Sequence, residues 1–182
     1  MSEFILFYNG PFSQWYPSEF KAVTSYPSGD VNDTKYQSLN AEHIFANCEQ
    51  YMMFEKAMLF QDFPSARAII ATSNPKEVKR LGRLVRGFDE RVWSQHREQI
   101  VFQGNYHKFT QNLDFKNYLA NSGRKIFVEA SPYDKIWGIG LDKSDPAARD
   151  PRNWKGLNLL GRAITTVRDK LFPLNDVDEK KK

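Results

Sequence analysis

Hydrophobic positions along the chain fall into short apolar segments bounded by turn residues and longer segments without glycine or proline. The short segments are rich in aromatic and β-branched residues, which favour strands. We expect the second and third of these strands to pair across a loop rich in turn residues. The predicted strands are Phe4–Tyr8, Phe20–Thr24, Thr34–Gln37 and Lys125–Ala130.

The longer segments are preceded by capping residues and predict helices. Asn40 is the expected N-cap of a helix from about Ala41 to Gln61, and Asp89 that of a helix running toward Phe109. Gly104 lies inside the second span and argues against one continuous helix. The other predicted helices are Pro64–Ala71, Pro75–Arg83, Asn112–Ala120 and a last helix that ends near Leu171.

Length and composition set the class of protein. With 182 residues, 41% of them hydrophobic and 14% aromatic, the chain is expected to form one globular domain with a sizeable core. We place this domain at residues 1–174 and expect the charged residues 175–182 to form a flexible tail. The high aromatic share suggests that rings line clefts as well as the core.

Several features bear on location and on metal binding. No apolar segment approaches the ~20 residues that a membrane-spanning helix needs, and Met1-Ser2-Glu3 does not open a signal peptide. The single cysteine, Cys48, excludes an internal disulfide and fits a reducing compartment, so we expect a cytoplasmic protein. Three histidines at no ligand-like spacing argue against a structural zinc site, and we expect no metal. The net charge of +4 suits a phosphate-bearing ligand or a nucleic acid but does not select between them.

One helical segment, Cys48–Met58, carries the most unusual pair of charges. Glu49 and Lys56 are seven residues apart, or two helical turns, and therefore project from nearly the same face. Met52 and Met53 lie between them, so the face is otherwise largely apolar. The pair is either a reactive site or, as charged residues at helical spacing more often are, an ion pair or a solvated face.

Three loops and one helix end also carry groups that can bind a ligand. Phe12–Pro17 is an aromatic loop with a hydroxyl and an amide, which fits either a hydrophobic plug or a rim that stacks on a planar ligand. The strand Lys125–Ala130 leads into a polar loop with two glycines, an arrangement typical of active sites. Glycines within 155–162 open the last helix, where exposed amides favour an anion. Arg83 is a candidate phosphate ligand, whereas the neighbouring cations fit compensation of the helix dipole.

These motifs occur together in one order. They are Phe12-Ser13-Gln14-Trp15-Tyr16-Pro17, Glu49-Gln50-Tyr51-Met52 with Lys56-Ala57, Gly82-Arg83, Trp93, Glu129-Ala130-Ser131 with Asp134, Trp137-Gly138-Ile139-Gly140-Leu141 and Gly156-Leu157-Asn158-Leu159-Leu160-Gly161. In this order and spacing the chain resembles the NADAR family, also called YbiA-like, from about Phe7 to Leu171. The resemblance implies an α+β fold, a mainly helical single domain with a small β-sheet.

The resemblance also implies an enzyme, an N-glycosidase that hydrolyses N-glycosyl bonds without a cofactor. Some family members cleave early riboflavin-pathway intermediates, and others remove ADP-ribose from modified guanine in nucleic acid. Both substrates join a phosphorylated ribose through C1′ to a nitrogen of a base. The implied partner is therefore an ADP-ribosyl or ribosyl-phosphate N-glycoside, including ADP-ribosylated DNA or RNA.

The resemblance favours Lys56 as the nucleophile, with Glu49 and Asp134 moving protons. Cleavage of an N-glycosyl bond builds positive charge at C1′, as in glycoside hydrolysis. A lysine held among methionine and aromatic side chains has a lowered pKa, so its neutral amine can attack C1′ and form a Schiff base with the opened sugar. In the rival interpretation Lys56 neutralises a phosphate or pairs with Glu49.

The implied substrate contacts lie in several segments. The tryptophans would stack on the base, with core packing as the alternative for each, and the arginines, Ser13 and Asn158 would hold ribose or phosphates. Cys48 projects elsewhere on its helix, and we interpret it as a core thiol. The implied substrate-binding residues are Phe12, Ser13, Gln14, Trp15, Tyr51, Arg83, Trp93, Trp137, Gly138, Asn158, Gly161 and Arg162.

Two other classes of function compete with an enzyme. A non-catalytic module that binds ADP-ribose or a nucleotide would use the same pocket without turnover. A nucleic-acid-binding protein would use the basic net charge and bind unmodified DNA in a salt-sensitive way. The sequence has no basic stripe, so we rank the nucleic-acid-binding class last.

Overall fold

The computed structural model describes residues 3–29 and 36–173. Its chain contacts divide into two compact units, one made of residues 1–13 and 113–182 and the other of residues 14–112. The strands are β1 (Phe4–Phe7), β2 (Phe20–Ala22), β3 (His43–Phe45) and β4 (Ile126–Glu129). The helices are α1 (Cys48–Leu59), α2 (Phe63–Ile70), α3 (Pro75–Arg83), α4 (Glu90–Gln111), α5 (Leu113–Ala120) and α6 (Leu159–Leu171).

Helix α1 lies at the centre of the unit formed by residues 14–112 and packs on α2, α3 and α4. It begins at Cys48 because the side chain of Asn47 caps it, accepting a hydrogen bond from the backbone N–H of Gln50 at 2.9 Å. Ten of its twelve residues are buried, so the helix is a core element on nearly all sides. Polar groups on α1 are therefore held in dry surroundings.

The predicted start of this helix at Asn40 is wrong. The amide of Asn40 instead clamps Ser28, accepting from its backbone N–H at 2.8 Å and donating to its carbonyl at 3.3 Å. The residues that follow form β3, which pairs antiparallel with β2 in the register Phe20↔Phe45. The Asn40 side chain is thus used by a loop, and the cap lies seven residues later.

The predicted third strand, Thr34–Gln37, is also wrong over its described part. Gln37 begins a 3₁₀ helix, Gln37–Asn40, while residues 34 and 35 lie outside the described residues. The partner of β2 is β3, whose central Ile44 is exposed while Phe45 is fully buried. This alternation turns the Phe45 ring into the core and Ile44 toward solvent.

Helix α4 is continuous through Gly104, contrary to the expectation of a break. A Cβ atom at Gly104 would lie 2.8 Å from Cδ1 of Tyr51, so the glycine makes room for a ring of α1. The helix begins where predicted, with Asp89 accepting from the backbone N–H groups of Arg91 and Val92. Packing against α1 therefore explains the glycine.

The other unit, residues 3–13 and 113–173 in its described part, is built around two parallel strands. β1 and β4 pair in the register Phe4↔Ile126, and α6 packs on β4. The apolar residues of β4 and of the loops after it form one cluster with the partly buried Phe4 and Leu6. The segment 142–154 contains two 3₁₀ helices, Pro146–Arg149 and Pro151–Asn153.

Helix α6 approaches β4 very closely. Asn158, in the left-handed conformation with φ 55°, accepts from the backbone N–H of Glu129 at 2.9 Å and donates to the carbonyl of Phe127 at 3.0 Å. A Cβ atom at Gly161 would overlap that same Phe127 carbonyl and the Asn158 amide. Glycine at position 161 is thus required for this contact.

The α+β class, mainly helical with little sheet, is confirmed by the described residues, which hold six α-helices and two two-stranded sheets. Within residues 3–29 and 36–173, no helix is both long and apolar enough to cross a membrane. The predicted boundary at residue 174 and the tail 175–182 lie outside the described residues. Both stay predictions.

Gly161→Ala is expected to lower the free energy of unfolding by about 1–3 kcal/mol, because the added methyl group meets backbone of β4 that cannot move aside. Urea unfolding measures this. Gly29→Ala is the matched control, since a Cβ atom there meets nothing within 4 Å. Equal stability of the two variants would contradict the close contact between α6 and β4.

Candidate functional site

In the unit of residues 14–112, Lys56 is held between one carbonyl and two aromatic rings. Its Nζ donates to the carbonyl oxygen of Gly82 at 2.8 Å. The same atom lies 4.2 Å from the ring centroid of Phe88 and 5.5 Å from that of Trp93. The side chain is half-buried, so the amine remains within reach of a ligand.

The carbonyl that binds Lys56 belongs to the last turn of α3. The last carbonyls of a helix have no partner within the helix, and they lie at its negative end. Gly82 brings this turn against α1, since a Cβ atom at position 82 would overlap the side chain of Met53. The Gly82-Arg83 motif thus serves Lys56 through its backbone, while the Arg83 side chain is exposed.

The two rings beside Lys56 come from the start of α4. Asp89 caps this helix, so Phe88 and Trp93 occupy the two positions whose apolar side chains meet in a hydrophobic staple. Trp93 is 7% exposed and Phe88 is 43% exposed. One ring is therefore part of the core, and the other leaves a side open to solvent.

A buried carboxylate fixes the loop that carries Phe88. Asp62 caps α2 through Ser65 and accepts from the backbone N–H of Arg86 at 2.9 Å and from its Nη2 at 3.0 Å. Burial alone would raise the pKa of Asp62, but the hydrogen bonds from Arg86 and Ser65 lower it to about 2. Asp62 is thus ionised in any ordinary buffer and holds position 86, two residues before Phe88.

Burial lowers the pKa of Lys56, because a half-buried ammonium loses hydration. The negative charge of Glu90 acts in the opposite direction and raises the pKa of Lys56. Glu90 is exposed in the first turn of α4 and also accepts from Ser94 at 3.1 Å. A lysine with a lowered pKa holds a larger neutral fraction near pH 7, as a nucleophile requires.

The other end of α1 carries Glu49, which is 4% exposed. It lies in the first turn, where the helix dipole favours a carboxylate. Its backbone N–H donates to the carbonyl of Gln14 at 3.0 Å, which ties the aromatic loop to the helix. Glu49 and Lys56 are separated by a rise of about 10 Å along the helix.

The aromatic loop next to Glu49 contains two exposed rings, Trp15 and Tyr16. Trp15 is 38% exposed, and the ammonium of Lys79 lies 5.7 Å from its ring centroid. Lys79, expected only to compensate the dipole of α3, thus also contacts a ring of the candidate site. A cation beside an exposed tryptophan can receive a planar, phosphate-bearing ligand.

Two further side chains of α1 belong to the core. Tyr51 is 1% exposed and packs against Phe20 and Phe45 at 5.9 and 5.1 Å, and burial raises its pKa. Cys48 is 1% exposed, and burial raises the pKa of its thiol to about 11. A neutral, buried thiol agrees with the interpretation of Cys48 as a core residue.

In the unit of residues 3–13 and 113–173, Asp134 shapes the loop after β4. Its Oδ1 accepts from the backbone N–H groups of Ile136 and Trp137 at 2.8 and 2.7 Å. Both bonds use one oxygen, so the turn does not engage Oδ2. Gly138 lies close by, and a Cβ atom there would be 3.0 Å from the Asp134 carbonyl oxygen. The structure thus brings Asp134, Trp137 and Gly138 together.

The remaining predicted residues of this unit have different surroundings. Asn158 and Gly161 contact the backbone of β4, and Arg162 is exposed in the first turn of α6. Phe12 packs against Phe127 with ring centroids 4.7 Å apart. Ser13 is half-buried, and its backbone N–H donates to the carbonyl of Gly10 at 2.9 Å. Substrate binding by these residues stays a prediction.

Sequence reasoning missed Phe88, Glu90 and Lys79. A signal for Phe88 was available, since an aromatic residue before a capping aspartate, with tryptophan four residues after the cap, is the pattern of a hydrophobic staple. Glu90 and Lys79 had no such signal, because their contacts come from segments more than thirty residues away in the chain.

The family model for the NADAR domain matches residues 6–172. The chain belongs to the NADAR family. It is 39% identical over 160 residues to "N-glycosidase R617" of Acanthamoeba polyphaga mimivirus, covering 87% of this chain and 85% of that protein. It is also 39% identical over 173 residues to "Protein irg-1" of Caenorhabditis elegans, covering 93% of this chain and 80% of that protein.

Two further NADAR comparisons come from bacteria. "N-glycosidase Npun_R5314" of Nostoc punctiforme is 29% identical over 127 residues, covering 70% of this chain and 74% of that protein. The NMR structure of the Escherichia coli protein YbiA matches with a TM-score of 0.66 and 21% identity, covering 100% of this chain and 90% of that one. The second comparison confirms the YbiA-like fold of this NADAR chain.

Asp62 and Arg86 form a hydrogen-bonded ion pair, which we call the clasp. The clasp predicts that the folded protein loses stability in acid. Since the folded pKa of Asp62, about 2, lies below its usual 3.8, its stabilisation is present above about pH 4 and is lost as the pH falls toward 2. Asp62→Asn should lower the free energy of unfolding at pH 7 by about 2 kcal/mol and flatten its change between pH 4 and 2. Urea unfolding at a series of pH values measures both effects.

The control for this clasp is Asp142→Asn, which removes an exposed carboxylate bonded only within its own turn, to Ser144. It should change the free energy of unfolding by less than about 0.5 kcal/mol. An Asp62→Asn variant as stable as this control would show that the clasp does not hold the loop.

The environment of Lys56 predicts its reactivity. Lys56 should be methylated by formaldehyde and borohydride with a midpoint pH below that of a free lysine side chain, because burial lowers its pKa. Glu90→Gln should shift the midpoint of Lys56 lower still, since the Glu90 charge raises that pKa. Peptide mass spectrometry over a pH series measures each lysine separately.

Glu77→Gln is the matched control, because that exposed carboxylate pairs with Arg80 on α3. It should leave the midpoint of Lys56 unchanged. If Glu90→Gln also left the midpoint unchanged, Glu90 would have no part in setting the charge of Lys56.

Proposed function

We propose that this protein is an N-glycosidase that cleaves the C1′–N bond between a phosphorylated ribose and a nitrogenous base. Two relatives, one viral and one cyanobacterial, carry the name N-glycosidase. The observation that carries the proposal is the half-buried Lys56, with its lowered pKa, between a carbonyl and two rings. Such an amine can serve as a nucleophile, and the exposed ring of Phe88 beside it can contact a base or sugar.

In the proposed reaction the Lys56 amine attacks C1′ while the C1′–N bond breaks. The bonding electron pair leaves with the base, which gains a proton. Ring opening gives a Schiff base between Nζ and C1′, and water then releases the sugar and the free amine. The Gly82 carbonyl accepts one N–H of the free Lys56 amine, so it directs the attacking amine without consuming its lone pair.

Glu49 and Asp134 are proposed to move the protons in these steps. Glu49 is supported by its burial at the start of α1, where a carboxylate has few solvent contacts. Asp134 is supported by an oxygen that the loop turn does not use. The finer substrate assignment is to ADP-ribosylated guanine in nucleic acid or to early riboflavin-pathway intermediates, which share the ribosyl phosphate and the C1′–N bond.

A paired assay by mass spectrometry tests the proposal. The protein is incubated with ADP-ribosylated guanine in a DNA oligonucleotide and, separately, with the pyrimidine riboflavin intermediates, with or without sodium cyanoborohydride. We expect release of ADP-ribose or of ribose 5-phosphate, together with a trapped adduct on Lys56. Lys56→Ala should abolish the adduct and lower kcat by at least about 10³-fold, the typical loss when a nucleophile is removed.

Lys143→Ala is the matched control and should retain full activity, because this exposed lysine lies on the polar turn at Asp142. Turnover without an adduct would reduce Lys56 to an electrostatic role. If neither substrate were turned over while ADP-ribose still bound, the result would contradict the proposed enzyme and favour a non-catalytic binding module.

A further inference from the structure

We infer that Gln14 donates a hydrogen bond from Nε2 to an acceptor atom of the substrate, and that Asn105 is the positioning residue that fixes this orientation. The inference rests on the proposed function, since it gives the predicted substrate contact of Gln14 a donor atom and a positioning residue. Asn105 was not among the residues singled out from the sequence. Both side chains belong to the unit of residues 14–112.

The side-chain amide of Gln14 is buried, and only its oxygen is hydrogen-bonded within the described residues. Gln14 is 7% exposed and Asn105 is fully buried. Oε1 of Gln14 accepts from Nδ2 of Asn105 at 2.9 Å. Nε2 of Gln14 is shielded from solvent and has no hydrogen-bond partner among residues 3–29 and 36–173.

A backbone carbonyl decides which way both amides face. Nδ2 of Asn105 also lies 2.9 Å from the carbonyl oxygen of Val101, which can only accept, so this atom of Asn105 must be the nitrogen. The thiol of Cys48 faces the other amide atom, Oδ1, at 3.9 Å, as a donor should. Gln14 must therefore present Oε1 to Asn105 and turn Nε2 away from it.

A second buried glutamine, Gln50, has hydrogen-bond partners for both atoms of its side-chain amide. Nε2 of Gln50 lies within 3.3 Å of the carbonyls of Ile69, Ile70 and Thr72, and its Oε1 accepts from Ala46. Buried polar groups are nearly always bonded, because an unmet donor loses its water without replacement. The unmet donor of Gln14 therefore points to a ligand acceptor.

The position of this donor matches the candidate site. The backbone carbonyl of Gln14 accepts from the backbone N–H of Glu49, and the Asn105 amide that binds the Gln14 side chain also faces the thiol of Cys48. The side-chain amide of Gln14 therefore lies near the first turn of α1. Trp15, the next residue, is 38% exposed, which opens the chain to solvent one residue beyond the donor. A carbonyl oxygen, hydroxyl oxygen or ring nitrogen of the substrate fits Nε2, whereas an N–H group does not.

The test is a double-mutant cycle on the full chain, with KM and kcat measured on the substrate that the paired assay identifies. Gln14→Met, which keeps the length of the side chain but removes the donor, should raise KM about tenfold. Asn105→Leu should raise KM in the same direction, because the Gln14 amide is no longer oriented. The double variant should be no worse than Gln14→Met alone, since Asn105 acts through Gln14.

If the increases in KM of the two single variants were additive in the double variant, the inference would be overturned, because Asn105 would then merely support the fold. An unchanged KM in Gln14→Met would overturn it as well, and would assign Nε2 to a trapped water. In either case the wild-type protein turns over, so the proposed function stands. Absence of turnover in the wild type would overturn the proposed function and this inference together.

The control variant is Gln111→Met. This exposed glutamine accepts from the backbone N–H of Lys21 and donates to its carbonyl, both at 2.8 Å, so its amide is fully used within the fold. It should lower the melting temperature slightly and leave KM unchanged. Melting curves of all four variants show whether each is folded at the assay temperature.

Discussion

The close approach of two helices to α1 is the constraint on which the candidate site depends. At Gly82 and Gly104 a Cβ atom would overlap or crowd a side chain of α1, Met53 in one case and Tyr51 in the other. Because both positions are glycine, the last turn of α3 and the middle of α4 lie directly on the helix. The carbonyl oxygen of Gly82 in α3 can then accept from Nζ of Lys56 at 2.8 Å. A larger distance between α3 and α1 would prevent this hydrogen bond.

The same constraint explains why the charges of α1 are unusual. Glu49 in the first turn and Lys56 near the last have the signs that compensate a helix dipole. Compensation alone would leave both side chains on the surface, where it costs no desolvation. Here Glu49 is 4% exposed and Lys56 is half-buried with a lowered pKa. Their burial therefore needs a further reason, and a reactive site supplies one.

The sequence predicted those elements whose signals are local. The cap at Asp89 located the start of α4, and apolar segments located β1 and β4. The start of α1 was misplaced at Asn40, because an asparagine side chain can bind a loop as readily as it caps a helix. Only the distant contact between Asn40 and Ser28 decides between these roles.

The candidate site shows the same division between local and distant signals. Lys56 could be singled out from its own segment, whereas Trp93 entered through the resemblance to the family. Glu90 and Asn105 could not be singled out, because each interacts with a group far along the chain. Glu90 acts on Lys56, and Asn105 binds Gln14. Helical periodicity says which face a residue occupies, but it does not say which donor or charge meets that face.

A comparison of two lysines shows why burial alone does not identify the reactive one. Lys108 in α4 is fully buried, and burial lowers its pKa just as it lowers that of Lys56. Lys56, in contrast, is half-buried beside the partly exposed ring of Phe88, so its amine keeps a path to solvent. A nucleophile needs both a depressed pKa and a path for its target, and of these two lysines only Lys56 has both.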